Sequence, residues 1–256
     1  LIYKALGWEV PVWAHLPLIH GPDGAKLSKR HGAQAVSEFD SMGYLPEAMR
    51  NYLARLGWGH GDDEIFTDAQ AISWFDIVDV VSAPARLDWA KLNHINNHYI
   101  RQADISRLAD LVTAIHESRD LKVPAALRQV LERTIPLVRD GAKTLLDLAD
   151  STVFVLTPRP LAMPEKAAGL LTEETRGRLN RLRDRLAAAT TWDVPSLEGE
   201  IRAFAESEGV GIGKFGQALR VCLAGVASAP DLAGALTALG QEESLGRLHD
   251  ALSPAA

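Results

Sequence analysis

The 256-residue chain has a single cysteine, Cys222, which excludes an internal disulfide framework and any multi-cysteine zinc ribbon. That scarcity fits a reducing, cytoplasmic setting. No apolar run approaches the roughly 18 residues a bilayer span requires, so no membrane partner is expected. The opening Leu1-Ile2-Tyr3-Lys4 lacks both an initiating methionine and the charged-then-apolar layout of a signal peptide. The chain therefore reads as a fragment. Positive charge is not in excess either: 27 Lys and Arg face 33 Asp and Glu, a formal charge of −6. This balance argues against nonspecific coating of nucleic acid. It leaves local basic patches open, because phosphate recognition depends on where cations sit. No Gly-x4-Gly-Lys-Ser/Thr order occurs, so a P-loop is excluded.

Strand character is confined to the start, where the short apolar run Leu16-Pro17-Leu18-Ile19 precedes the turn signal Gly21-Pro22-Asp23-Gly24. Beyond about Leu45 the pattern is helical. Met49, Tyr52, Leu53 and Leu56 recur at i, i+3, i+4, i+7 behind Pro46. Thr67 to Gln70 has capping-box spacing ahead of Trp74 and Phe75, and another helix is expected from Leu87 to Tyr99. A second helical block covers Ile105 to about Ala149. Pro158, Pro160 and Pro164 make Val153 to Pro164 a connector. Thr172-Glu173-Glu174 then opens a helix through Ala189, acidic in its first turn as the helix dipole favours. Ser196 is expected to cap the next, with Leu197, Ile201 and Phe204 as its apolar stripe. Two further stripes are Phe215, Leu219, Leu223, Val226 and Leu232, Leu236, Leu239, and a last helix runs to about Leu252.

The segment richest in chemistry is Gly21-Pro22-Asp23-Gly24-Ala25-Lys26-Leu27-Ser28-Lys29-Arg30-His31-Gly32. Three cations and a hydroxyl follow a tight turn at the end of the expected strand. Lys26 and Lys29 can neutralise charge building on a leaving pyrophosphate, which is electrostatic stabilisation of a transition state. Flanking glycines allow such a loop to open and close over a nucleotide. As a short basic run alone, Lys26 to Arg30 would also suit a solvated surface turn.

The longer context decides between these. Lys26-Leu27-Ser28-Lys29-Arg30 resembles the second signature of class I aminoacyl-tRNA synthetases, in the form seen in the glutamyl and glutaminyl enzymes. Ala5 to Pro11, Ala14 to Ile19, Met42 to Ala48, Asn51 to Trp58 and Lys91 to Arg101 likewise resemble the bacterial glutamyl-tRNA synthetase family. The helical, strand-poor pattern after Ile105 favours the glutamyl type, because glutaminyl relatives carry β-barrel anticodon domains. The resemblance implies a mainly α fold, with helical stem-contact and anticodon-binding domains behind a small α/β remnant of a catalytic domain. The expected divisions are 1–104, 105–155 and 156–256.

It also implies a parent glutamate–tRNA ligase that activates glutamate with ATP, Mg2+ accompanying the ATP, and passes glutamate to the 3′ end of tRNA(Glu). Lys29 would contact ATP, with Lys26, Ser28 and Arg30 completing the loop. The His-Ile-Gly-His signature and the glutamate and adenine sites are absent from this chain, so the fragment alone is expected to be inactive. Gly213 to Arg220, followed by Gly225 and Pro230-Asp231-Leu232, resembles the anticodon-binding end, and places Gln217, Arg220 and Leu232 near anticodon bases. Ala229 stands where some relatives have a hydroxyl residue.

On residue grounds, Gln217 and Arg220 share a helix face, and a guanidinium can stack on a base or bond its edge. Arg178, Arg181 and Arg185 line another face and could follow an RNA backbone, although Glu173, Glu174 and Asp184 beside them suit a solvated face equally. His94 and His98 have zinc-ligand spacing without a third ligand, so no metal site is assigned. Asp62-Asp63-Glu64 reads as a solvated loop, Cys222 as core, and Trp58, Trp74 and Trp89 as packing residues. A monomer is expected. Two other functions fit parts of the pattern: a free-standing, non-catalytic RNA-binding helical module, and a helical protein-interaction scaffold.

Overall fold

The computed structural model describes residues 1–27, 35–225 and 231–253. Ser28, Lys29, Arg30, Val226 and Ala229 lie outside the described residues. The described chain is mainly α, with fourteen α-helices and one two-stranded sheet. It divides into two compact units, residues 1–96 and 97–256.

In unit 1, α1 (Ile2–Ala5) precedes strand β1 (Ile19–His20), followed by α2 (Val36–Ser41), α3 (Pro46–Arg55), α4 (Asp68–Trp74), strand β2 (Ala85–Arg86) and the start of α5 (Trp89–Gln102). The strands pair in parallel, with Ile19 opposite Ala85 and His20 opposite Arg86. This corrects two expectations. The strand, Ile19–His20, takes in only the last residue of the apolar run, whose Leu16 and Leu18 remain exposed. Strand character is also not confined to the start, because β2 lies just after Pro84. A two-residue strand is too short to show period-2 patterning, so β2 leaves no trace in the sequence.

Helix α3 starts at Pro46, whose fixed φ and missing N–H suit the first turn. Its buried residues are Ala48, Met49, Asn51 and Tyr52, while Leu53 is exposed, so the core stripe is rotated from the expected one. Buried amides hold the loops around it. Asn51 donates to the Glu64 carbonyl (3.0 Å) and accepts from Phe66 N–H (3.3 Å). Asn96 accepts from Leu45 N–H at 2.8 Å, and Tyr44 donates to Asn93 at 2.7 Å. The Thr67–Gln70 capping box forms as expected.

Unit 2 contains α6 (Ile105–Ser118), α7 (Ala125–Val138), α8 (Leu145–Leu156), α9 (Glu165–Ala168), α10 (Glu173–Ala187), α11 (Val194–Ser207), α12 (Gly216–Ala224), α13 (Leu232–Leu239) and α14 (Gln241–Leu252). Helices α6, α7 and α8 pack on one another, α13 packs on α7 and α11, and α14 on α10 and α12. The connector is shorter than expected, because α8 runs through Leu156. Val153 to Leu156 lie before the reach of Pro158, which restricts only the residue preceding it. Asp193, not Ser196, caps α11: its carboxylate accepts from Ser196 N–H at 2.9 Å, and Pro195 occupies the first turn.

Two buried polar groups organise this unit. Arg247 on α14 is 1% exposed at its side chain, with Nε donating to Glu243 (2.7 Å). Its Nη1 donates to the carbonyls of Phe154 (2.9 Å) and Leu223 (2.7 Å), and Nη2 to that of Thr157 (2.7 Å). Those carbonyls sit at the C-terminal ends of α8 and α12, where intrahelical partners run out. The guanidinium therefore caps two helices at once, and its charge suits their negative ends. The second group is His116, buried on α6 with Nε2 3.1 Å from Thr152 Oγ1. Thr152 gives its own proton to the carbonyls of Ala149 and Leu148, so His116 Nε2–H is the donor in this pair. Burial, and then the nearby Arg119, push the His116 pKa down.

Replacing Arg247 by Met leaves three carbonyls, two of them in buried bonds, without their donor and Glu243 with only the more distant Arg159, and should cost about 2–4 kcal/mol of stability. Thermal unfolding followed by circular dichroism measures this; a melting temperature equal to the parent's would refute the capping role. His116 makes a pH-dependent contribution. Its folded-state pKa lies below the ordinary value near 6.5, so the unfolded chain binds the extra proton first. The stabilisation is complete above pH ~6.5 and is lost as pH falls through and below that value. Melting temperatures at pH 7.5 and 5 should diverge less in His116→Gln than in the parent, and superimposable pH profiles would rule His116 out as a source.

Candidate RNA-facing site

The expected phosphate loop is described only in its first part. Gly21 and Gly24 close the turn: Gly24 N–H donates to Gly21 O (2.9 Å) and Gly21 N–H to Ala25 O (2.7 Å). Gly24 sits at φ +78°, a conformation L side chains rarely adopt. His20 Nδ1 lies 2.8 Å from the Gly24 carbonyl, and Asp23 accepts from Ala25 N–H at 2.9 Å. Lys26 pairs through its backbone with His20 and keeps its side chain exposed. Lys26 thus follows a hydrogen-bonded turn, with its side chain exposed.

Gln217 and Arg220 lie one turn apart on α12. Gln217 is exposed and Arg220 half-buried. Phe215, fully buried, anchors the start of α12 edge-to-face against Phe204 of α11, with ring centroids 5.5 Å apart. Leu232 opens α13 and contacts the same end of α12: a Cβ on Gly216 would lie 3.4 Å from Leu232 Cδ1. The structure therefore brings Leu232 against Gly216 at the start of α12. Leu232 is only 8% exposed, so a base could meet no more than its rim. Helix α12 stops at Gly225, in the left-handed conformation at φ +75°, where a Cβ would lie 3.2 Å from Ala162 O. The next described residue, Asp231, caps α13 by accepting from Gly234 N–H at 2.7 Å. Ala229 falls between these and outside the described residues.

The α10 arginines are held differently from the pattern expected of an open cationic face. Arg178 is 11% exposed and lies 2.9 Å from Glu174 and 3.4 Å from Glu208. Arg181, 58% exposed, makes a two-pronged pair with Glu208 at 2.5 and 2.8 Å. Arg185 pairs with Glu200 at 2.6 Å. The Glu208 carboxyl is held below its ordinary range by Arg181 and then Arg178. No spacing rule exposes this clamp, because Glu208 lies 27 residues from Arg181.

Other candidates settle as structure. Burial pushes the Cys222 thiol up to about 12, so it stays a thiol within the core. His98 stacks edge-on to Tyr99, and among the described residues no group of three His, Cys, Asp or Glu side chains could hold a metal ion. No helix among the described residues is long and apolar enough to cross a membrane.

Residues 1–94 match the family model for tRNA synthetases class I (E and Q), catalytic domain, and residues 96–252 match the anticodon binding domain. The chain is 73% identical to a glutamate–tRNA ligase of Phenylobacterium zucineum over all its length and 55% of that protein's. It is 62% identical to one from Caulobacter vibrioides, covering 100% of this chain and 54% of that protein. A crystal structure of a glutamate tRNA ligase from Elizabethkingia meningosepticum, in complex with its amino acid, superposes with a TM-score of 0.77 at 27% identity, over 98% of this chain and 53% of that one. The chain thus spans about half the length of the curated relatives it matches. With more than half of its residues inside that match, the chain belongs to the anticodon-binding-domain family, carried behind a segment similar to class I synthetase catalytic domains.

Proposed function

We propose that this chain supplies the nucleotide-facing loop and the tRNA-binding helices of a glutamate–tRNA ligase. The observation that carries the reading is identity of 73% to such a ligase along the whole chain, across both matched domains. In this reading ATP and glutamate are substrates, Mg2+ arrives with ATP, and tRNA(Glu) is the RNA partner. Work in the cytoplasm as a monomer is part of the same proposal.

Each region has a physical task. Lys26, together with Ser28, Lys29 and Arg30, places cations against the pyrophosphate that leaves as the glutamyl adenylate forms. Fixed cations act there without reorganising at the moment of reaction. Lys29 is the ATP contact. Gln217 and Arg220 read anticodon bases from α12, Gln217 by amide hydrogen bonds and Arg220 by stacking or edge contact. The rim of Leu232 packs on a base. Arg178 and Arg181 serve the RNA backbone from α10, in competition with Glu208. Burial of the Phe215 anchor fixes where α12 starts, and therefore where Gln217 and Arg220 point.

Adenylate formation also needs groups that hold glutamate and adenine, which in this reading belong to the half of the ligases outside the present span. The 256-residue chain alone should give no tRNA-dependent ATP–pyrophosphate exchange, and robust exchange would sink the division of labour. For the anticodon site, Arg220→Ala should weaken binding of tRNA(Glu) about tenfold, the scale of one stacked base. It should leave a tRNA with an altered anticodon unaffected. Equal affinity of the variant and the parent for both tRNAs, measured by filter binding, would remove Arg220 from the site.

A further inference from the structure

Unit 2 holds a cleft of about 260 Å³ that the proposed RNA contacts do not use. It opens between the segment after α8, the start of α10 and the last turns of α14. One wall is apolar, made by Leu161, Met163, Ala168 and Leu171, and the other carries Arg176, Arg247 and Asp250. An apolar wall facing a few convergent polar groups is the usual form of a small-ligand site, and this volume suits a ligand of few atoms.

Two guanidinium groups reach the cleft with donors to spare. Arg176 donates from Nε to the Leu171 carbonyl (3.0 Å) and from Nη1 to the Ala251 carbonyl (2.8 Å). Both partners are neutral, and among the described residues its Nη2 has none. Arg247, 1% exposed, commits Nε to Glu243, Nη1 to two carbonyls and Nη2 to a third. A guanidinium carries one more N–H than those bonds use, so an Nη2 hydrogen is left over. The carboxylates paired at this end are Glu243 and Asp250, and the neighbouring Arg159 approaches them at 3.5 and 3.8 Å. Arg159, Arg176 and Arg247 thus share two carboxylates, an excess of one positive charge beside a half-buried cleft. Such an excess favours a ligand with a single negative group, and a guanidinium fork fits a carboxylate. The apolar wall favours a hydrocarbon body over a second charge, whose desolvation would be costly.

We propose that this cleft binds a small aliphatic monocarboxylate. Its carboxylate sits on Arg176 and the spare Nη2 donor of Arg247, and its hydrocarbon body lies against Leu161, Met163 and Leu171. The assignment does not rest on RNA binding. Occupancy links α10 to α14, and Arg247 already joins α14 to the ends of α8 and α12. Binding therefore stabilises the helix framework behind Gln217 and Arg220 by mass action.

The test titrates the 256-residue chain with 4-methylpentanoate at constant ionic strength, following the arginine Nε–H resonances by NMR. The signals of Arg176 and Arg247 should shift and saturate with a Kd on the order of 1 mM. The uncharged 4-methylpentanamide and inorganic phosphate should each bind at least about tenfold more weakly. Arg176→Gln should weaken binding about tenfold. Asp250→Asn removes the carboxylate that borders the cleft and should tighten binding several-fold, a gain that a merely structural role would not produce. Ala168→Trp, at an exposed position on the apolar wall, should fill the space and abolish binding with the melting temperature of the unliganded protein unchanged. No saturation by about 50 mM probe, or parent-like binding by Ala168→Trp, would overturn the site. Equal affinity for phosphate would overturn the carboxylate class, and equal affinity for the amide would remove the guanidinium groups from it. Should Arg176→Gln lose its circular dichroism signal, Asp250→Asn decides the charge argument, and affinity equal to or below the parent's would overturn it.

Discussion

The position of α12 in unit 2 depends on where two helices stop, and both stops are tied to Arg247. A helix terminus leaves carbonyls without partners, and inside a packed unit water cannot serve them. Arg247 reaches from α14 to the ends of α8 and α12 at once, and Glu243 holds its fork in plane. A buried charge is costly unless its donors are used, and here four bonds use Nε, Nη1 and Nη2. The arrangement locks α12 in position relative to α8 and α14. Gln217 and Arg220 inherit that position, since they lie on α12 itself.

The opposite end of α12 is set by packing instead of charge. Phe215 is wholly buried against Phe204, and Gly216 allows Leu232 of α13 to approach as no larger residue would. An aromatic anchor at one end and a guanidinium clamp at the other hold a helix whose side chains are mostly buried, with Gln217 exposed and Arg220 half-buried on its outer side. Side chains that read bases must themselves be held to a narrow range of positions, because a displaced donor loses most of its hydrogen-bond energy.

Much of this was legible in the residues, for reasons that also explain the gaps. Long amphipathic stretches such as α10 and α14 announce themselves by period, and Thr67 and Thr172 mark helix starts by local chemistry that acts within four residues. Gln217 and Arg220 were placed on one face by their spacing, while their link to anticodon bases came from a resemblance alone. What stayed hidden acts across the chain. Glu243 and Arg247 are four apart and look like an ordinary surface pair, yet the carbonyls that make Arg247 a core residue belong to residues up to 93 positions away. β2 is hidden because two residues carry no pattern, and so is the register that brings Arg86 beside the Gly24 turn. Asp193 and Ser196 are both good caps, and only the backbone shows that Asp193 is the one whose side chain accepts.

The α10 arginines show how the same residues can look alike in sequence and differ in use. Arg178, Arg181 and Arg185 share a face, but Glu208 and Glu200 neutralise it from α11 and its end. An RNA phosphate drawing Arg181 away must replace a two-pronged carboxylate pair, so its net gain is the difference between two similar charge-assisted contacts. Arg181 is exposed but Glu208 is only 15% exposed, so the pair is partly shielded and stronger than a fully solvated one. Arg178 is close to buried, and moving it would strand Glu208 in a half-dry site. Of the two, Arg181 is the easier to release from Glu208, and Arg178 is the one that ties α10 to the end of α11.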